Sequence, residues 1–164
     1  MTGRRKEVVV PKEKALFWLD KHGFWHNETE KFRHPKIIKH FHSTIRKDKD
    51  GYYLFQEHPD YSERVYFPYE DTAVFVFEVM REEAVILVLN TSKRTKLKPR
   101  NLFVQNDNLY MHADGDRIKF TERALVQIAD LLEDENGQLF IRIRGRRYRV
   151  REKPDDTTSG LGRR

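Results

Sequence analysis

No cysteine occurs among the 164 residues, which excludes both a disulfide framework and thiolate chemistry. Long apolar runs are also absent. The longest, Ala84 to Leu89, falls far short of the ~20 residues that a membrane-spanning helix needs. The opening MTGRRKEVVVPKEK lacks the apolar stretch of a signal peptide. These absences set the expectation of a cytoplasmic protein with no membrane partner. The sequence has no Walker loop, no GxGxxG, no GxSxG and no HExxH, so the common NTPase, dinucleotide, hydrolase and zinc-protease signatures are missing. Seven histidines are present, but without cysteine or a ligand spacing they indicate no metal site. The sequence therefore points to no catalytic residue, no cofactor and no enzyme.

Charge is what the sequence has in quantity. Charged residues make up 35% and hydrophobic residues 38%, the balance of a globular chain with a heavily solvated surface. The length fits one compact domain or two small lobes. A net charge of +6 favours anionic partners such as nucleic acid or phosphorylated ligands, although solubility alone gives the same balance.

Two stretches share a pattern. Residues 24–55 read as strand, turn, strand, helix, Asp-Gly turn and strand, and the pattern returns over 110–143. Phe24 and His26 align with Tyr110 and His112. Ile37, Ile38, Phe41 and Ile45 align with Ala124, Leu125, Ile128 and Leu132, and Gly51 aligns with Gly137. The helical positions have the spacing of one buried face. The fold class expected is α+β: two-lobed, with internally duplicated β-β-α-β units on antiparallel sheets. The division expected is 1–71 for an N-terminal helix and first repeat, 72–152 for a central hairpin and second repeat, and 153–164 for a disordered tail.

Along the chain, residues 1–7 read as loose. Pro11 opens a helix to about Lys21 that buries Ala15, Leu16, Trp18 and Leu19, and Gly23 ends it. A second helix runs from Pro35 to about Arg46. Thr72–Met80 and Ala84–Asn90 are nearly continuous apolar strands of one hairpin. Thr121 caps a helix to about Glu133. Asn136-Gly137 and Gly145-Arg146 are hairpin turns.

Three features could carry chemistry. In the last hairpin, Ile141 and Ile143 alternate with Arg142 and Arg144, and Tyr148 and Val150 with Arg147, Arg149 and Arg151. Period-two alternation gathers arginines on a solvent face. Like charges across a hairpin repel, so this face needs carboxylates or an anion. An exposed edge protected by charge explains it equally. The second feature is Lys93, Arg94, Lys96, Lys98 and Arg100, which have no acid among them. Beside the arginine hairpin they would form a phosphate-tracking surface; alone they are a solvated edge. The third is Glu63-Arg64 followed by Glu70-Asp71 near a bend at Pro68, a structural pairing before it is a site.

Gly23 and Trp25, the turn Asp50-Gly51-Tyr52-Tyr53-Leu54 and the segment ERVYFPYEDTAVF resemble the bacterial domain-of-unknown-function family 1285. That segment supplies Glu63, Arg64, Val65, Phe67, Glu70, Asp71 and Phe75, and the likeness covers residues 22–80. This chain departs from the family in a longer charged hairpin tip at Asn27–Lys31, and the proline of the family's acidic bend is either replaced by Ala73 or absent. The resemblance implies a duplicated two-lobed fold whose second lobe is similar to a pleckstrin-homology-like barrel. It also implies a small-ligand or nucleotide-like site between the lobes and a role nearer signalling than catalysis. Combining the two lines, the expected function is non-enzymatic binding of an anionic or nucleotide-like ligand. Arg142, Arg144, Arg147 and Arg149 would supply charge, and Trp25, Glu63, Arg64, Glu70 and Asp71 would shape a lobe interface. The alternative is a nucleic-acid-binding protein using 93–100 and 142–151.

Overall fold

The computed structural model describes residues 6–155. Two compact units divide it. Unit 1 runs to Ala73 and adds Asn90–Lys93; unit 2 comprises Val74–Leu89 and the chain from Arg94 onward. Among the described residues, no helix is long and apolar enough to cross a membrane.

Unit 1 contains β1 (Lys6–Val10), β2 (Phe17–Leu19), β3 (Trp25–Asn27), α1 (Pro35–Ser43), β4 (Ile45–Asp48), β5 (Gly51–Glu57) and β6 (Tyr61–Tyr66). Four of the strands form a sheet in the order β1-β6-β5-β4, antiparallel except for β1 against β6. Lys6 and Glu7, expected to be loose, begin β1; residues 1–5 lie outside the described residues.

The helix expected over Pro11–Lys21 is not formed. A single 3-10 turn at Lys12–Lys14 is followed by β2, which pairs antiparallel with β3. Aromatic Phe17 and Trp18 favour a pleated surface. Asp20 then fixes the turn: its Oδ1 accepts from the backbone N–H of His22 at 2.8 Å and of Phe24 at 2.9 Å, and its Oδ2 accepts from His26 Nε2 at 2.7 Å. Leu19 is fully buried while Leu16, assigned to the same helical face, is 77% exposed. Gly23 does adopt a positive φ, but at this hairpin turn rather than at a helix end.

α1 stops at Ser43, short of the expected Arg46, because Ile45 enters β4 opposite Leu54 and is buried there. Its inward face holds His42 rather than Ile37, which is exposed. The Nδ1 of His42 accepts hydrogen bonds from Trp25 Nε1 at 3.2 Å and from Asn90 Nδ2 at 3.1 Å. Asn90 also donates to the Ala73 carbonyl at 3.0 Å. Trp25 packs edge-on against Phe17, Phe41 and Phe67.

Unit 2 contains β7 (Val74–Arg81), β8 (Val85–Leu89), β9 (Arg94–Lys96), β10 (Leu102–Gln105), β11 (Asn108–Ala113), β12 (Asp116–Phe120), α2 (Glu122–Ile128), β13 (Leu132–Glu135), β14 (Gln138–Ile143), β15 (Arg146–Arg149) and β16 (Arg151–Glu152). Seven strands form one sheet in the order β16-β10-β11-β12-β7-β8-β9, and β13-β14-β15 form another. The Thr121 side chain caps α2 by accepting from Ala124 N, and Ala124 and Ile128 are buried as expected. α2 ends at Ile128, not Glu133. Leu132 pairs with Ile141 and starts a strand that the helical pattern concealed. Three turns place a positive-φ residue before a positive-φ glycine: Asp114-Gly115, Asn136-Gly137 and Arg144-Gly145. The last lies one residue earlier than the expected Gly145-Arg146. This left-handed pair matches the twist of the strands it joins.

Burial of His42 holds its pKa down at about 4, a hydrogen bond to the Gly23 backbone opposing the shift. The folded state thus prefers the neutral ring. Its contribution is fully present above the unfolded pKa near 6.5 and is lost as pH falls toward 4. The difference between the two values corresponds to about 3 kcal/mol. Urea titrations at pH 7 and pH 4 are expected to differ by about that amount. His42→Phe is expected to be destabilised at pH 7 by about 1–3 kcal/mol, because Trp25 and Asn90 lose their acceptor, and to show a flatter pH dependence.

Candidate functional site

The seven-stranded sheet of unit 2 has two unlike faces. Register-paired residues share a face, so Arg151, Phe103, Tyr110, Lys119 and Phe75 form one row across five strands. Gln105, His112 and Arg117 fall on the same face by alternation. The residues between them are apolar: Leu102 and Val104, Leu109 and Met111, Ile118 and Phe120. That face is core, and the first carries four basic side chains among aromatic rings with no carboxylate at these positions.

The segment after β16 supplies a further cation. Lys153 N donates to the Val104 carbonyl at 2.8 Å, Gln105 Nε2 to the Pro154 carbonyl at 2.9 Å, and Asn106 N to Asp155 Oδ1 at 3.0 Å. Lys153–Asp155, which the sequence assigns to a disordered tail, are thus clipped along β10; residues 156–164 lie outside the described residues. The clip places Lys153 Nζ 4.0 Å from the centroid of the Phe103 ring and 2.7 Å from His112 Nε2. His112 stacks on Phe103 at 4.5 Å, Phe103 stacks on Tyr110 at 5.2 Å, and Arg117 lies 4.0 Å over Tyr110. The rings of Phe103 and Tyr110 are fully buried, with Lys153 and Arg117 covering them. Arg117 also donates to Gln105 Oε1 at 3.0 Å.

The Lys153–His112 contact fixes a protonation state. An ammonium has only donors, so His112 Nε2 must accept and the ring must be neutral. Burial first, then the positive charge of Lys153, and then that of Arg117 and Arg151, hold the His112 pKa below its ordinary value, while a hydrogen bond with the Asp116 backbone opposes them. Three cations therefore converge on one imidazole. Among the described residues, Lys153 and Arg151 have no carboxylate partner.

The arginines of the last hairpin are differently placed. Arg142 and Arg147 are directly opposed across β14 and β15, and carboxylates of β13 separate the charges. Arg142 Nε donates to Glu133 at 2.7 Å and Arg147 Nη2 to Glu135 at 2.7 Å, with Arg147 lying over Phe140. Arg144 donates to the Glu83 carbonyl. Arg149 shares the face of Phe140 and is exposed.

Of the residues expected to shape an interface, all five belong to unit 1. Trp25 is buried against His42. Glu63 meets His58 at 3.2 Å, Arg64 binds Asp48 at 2.7 Å and Glu7 at 2.8 Å, Glu70 accepts from the Lys21 N–H at 2.9 Å, and Asp71 is half-buried. Each has its own partner, and they do not converge. Among the described residues, no three His, Cys, Asp or Glu side chains are placed to hold a metal. The cationic face escaped sequence reading because its members come from three separate strands and a tail. The signal available was the alternation of Tyr110 with His112 and of Arg117 with Lys119.

No family model and no curated relative matches the chain. Two solved structures share its fold. A DUF1285 family protein from Silicibacter pomeroyi DSS-3 superposes with a TM-score of 0.60 at 14% identity, covering 90% of this chain and 84% of that one. A DUF1285 family protein from Shewanella baltica OS155 superposes with a TM-score of 0.52 at 18% identity, covering 73% of this chain and 94% of that one. At these identities the likeness is one of fold, and it agrees with the resemblance carried by residues 22–80.

Titration of His112 by NMR is expected to give a pKa below 6.5, the reference value. Lys153→Met removes a neighbouring positive charge and is expected to move that pKa upward. An unchanged value would mean that the two side chains do not meet in solution.

Proposed function

We propose that the protein is a non-enzymatic module that binds an anionic, nucleotide-like ligand on the cationic face of unit 2. The observation that supports this reading is the convergence of Lys153, Arg151 and Arg117 on His112 above an aromatic shelf, with no carboxylate at the register positions of that face. A phosphate at this point would accept charge-assisted hydrogen bonds from an ammonium and guanidinium groups. The half-buried setting of Lys153, His112 and Arg117 would weaken screening by salt. Phe103 and Tyr110 are too deeply buried to stack with a base, so they set the height and orientation of the cations instead.

A signalling role accords with this kind of site, since binding without turnover reports ligand concentration. The last hairpin contributes less in this reading. Arg142 and Arg147 already have carboxylate partners, so an anion would have to displace Glu133 and Glu135.

A thermal-shift screen with inorganic phosphate, pyrophosphate and nucleoside phosphates tests the proposal, since a ligand that binds the folded state raises the melting temperature. A rise is expected with the phosphorylated compounds. Lys153→Ala with Arg151→Ala is expected to weaken binding about a hundredfold or more, because each charge-assisted hydrogen bond is worth about 1.5–3 kcal/mol. Replacing Arg142, Arg144 and Arg147 together by alanine is expected to lower stability and leave affinity nearly unchanged. The reverse pattern would move the site to the hairpin.

A further inference from the structure

Arg100 of the basic stretch 93–100 and Arg146 of the stretch 142–151 are far apart in the sequence, yet unit 2 brings both to one aromatic ring. The Arg100 guanidinium carbon lies 5.2 Å from the centroid of Tyr148, and that of Arg146 lies 5.3 Å from it. The two charges are therefore no farther apart than roughly a Debye length, about 10 Å at 0.1 M salt. Both arginines are exposed and Tyr148 is half-buried. Among the described residues neither arginine has an ion-pair partner, whereas Arg64, Arg81, Arg142 and Arg147 each have one. Glu133 and Glu135 of β13, in the same sheet, are taken by Arg142 and Arg147.

Arg100 sits in a 3-10 turn, Pro99–Asn101, that is tied to the cationic face. The next residue, Asn101, donates from Nδ2 to the His112 carbonyl at 3.0 Å. The turn that carries Arg100 is thus anchored to the strand that carries His112, and Arg100 and Arg146 make a second pair of cations with no ion-pair partner among the described residues. Two separate cation clusters on linked elements suit a ligand with more than one phosphate along a flexible backbone. Guanidinium planes resting on an aromatic ring also offer flat faces on which an unpaired base can stack. A double helix would need an element shaped for a groove. The β14–β15 ribbon is the candidate, and its Arg142 and Arg147 are engaged by Glu133 and Glu135.

We propose that Arg100 and Arg146, seated on Tyr148, form a second phosphate contact. With the Lys153–Arg151 cluster, they allow unit 2 to hold a single-stranded nucleic acid. The inference rests on the reading of the Lys153 cluster as an anion site and extends it to a polymeric ligand.

Fluorescence anisotropy with a labelled oligouridylate, over a series of salt concentrations, tests it on the full chain alongside pyrophosphate titrations. The wild type is expected to bind the oligonucleotide at low salt. Arg100→Gln with Arg146→Gln is expected to weaken that binding about tenfold and to make the slope of log affinity against log salt shallower by about 1.4, at about 0.7 per lost phosphate contact. Pyrophosphate binding should not change in this variant. Arg100→Lys with Arg146→Lys keeps both charges but removes the planar stacking surface, so the salt slope should persist while affinity falls. Failure of the wild type to bind the oligonucleotide while it still binds pyrophosphate would overturn this inference and leave the small-anion reading intact. An unchanged salt slope in the glutamine variant would also overturn it. Equal binding of inorganic polyphosphate, with the same change of slope, would replace nucleic acid by a simple polyanion. Loss of every phosphate ligand in the wild type would remove both readings.

Discussion

A strand sends successive side chains to opposite faces, and unit 2 depends on that rule more than on any single contact. The same strands β10, β11 and β12 give Leu102, Met111 and Ile118 to the core and Phe103, His112 and Arg117 to the other side. A slip of one residue in any of these pairs would put Arg117 or His112 into the apolar layer. The left-handed Asp114-Gly115 turn fixes one of the registers, and the parallel pairing of β12 with β7 fixes another. The cationic face follows from register, because the residues that form it are not adjacent in the chain.

The face also shows how like charges can be kept together in a folded protein. Arg117 and Lys153 lie over the rings of Tyr110 and Phe103, where the electron-rich face of the ring attracts them and their aliphatic stems remain packed. His112 stays neutral and accepts from Lys153 instead of adding a charge. The last hairpin resolves the same conflict differently, by inserting Glu133 between Arg142 and Arg147. One chain thus uses aromatic rings in one place and carboxylates in another. The two arrangements differ in what faces the cation, a ring in one and a carboxylate in the other.

Much of the architecture was legible in the residues. The apolar hairpin of β7 and β8, the Asp-Gly and Asn-Gly turns, the Thr121 cap and the arginine alternation of β14 and β15 all follow from local pattern. The misplaced helices have one cause. Residues 15–19 carry a helical spacing, but Phe17–Leu19 pair with Trp25–Asn27 because Asp20 closes a tight turn through three hydrogen bonds. Ile45 and Leu132 also complete a helical pattern, and each begins a strand whose partner lies further along the chain. Periodicity cannot see a partner strand. The cationic face was hidden for the same reason, since Lys153 reaches His112 only through the hydrogen bonds that lay its segment along β10.

That clip has a consequence for the behaviour of the whole sheet in concentrated solution. A sheet edge with unpaired N–H and C=O groups is a template on which another chain can build. Arg94 and Lys96 guard the β9 border of unit 2 with exposed charge. At the opposite border, β10 bears half-buried Val104 and is shielded by the short β16 and by the hydrogen bonds of Lys153 and Pro154. Residues 151–155 therefore act as a guard against strand-on-strand assembly, and a chain in which they are displaced would present β10 to its neighbours.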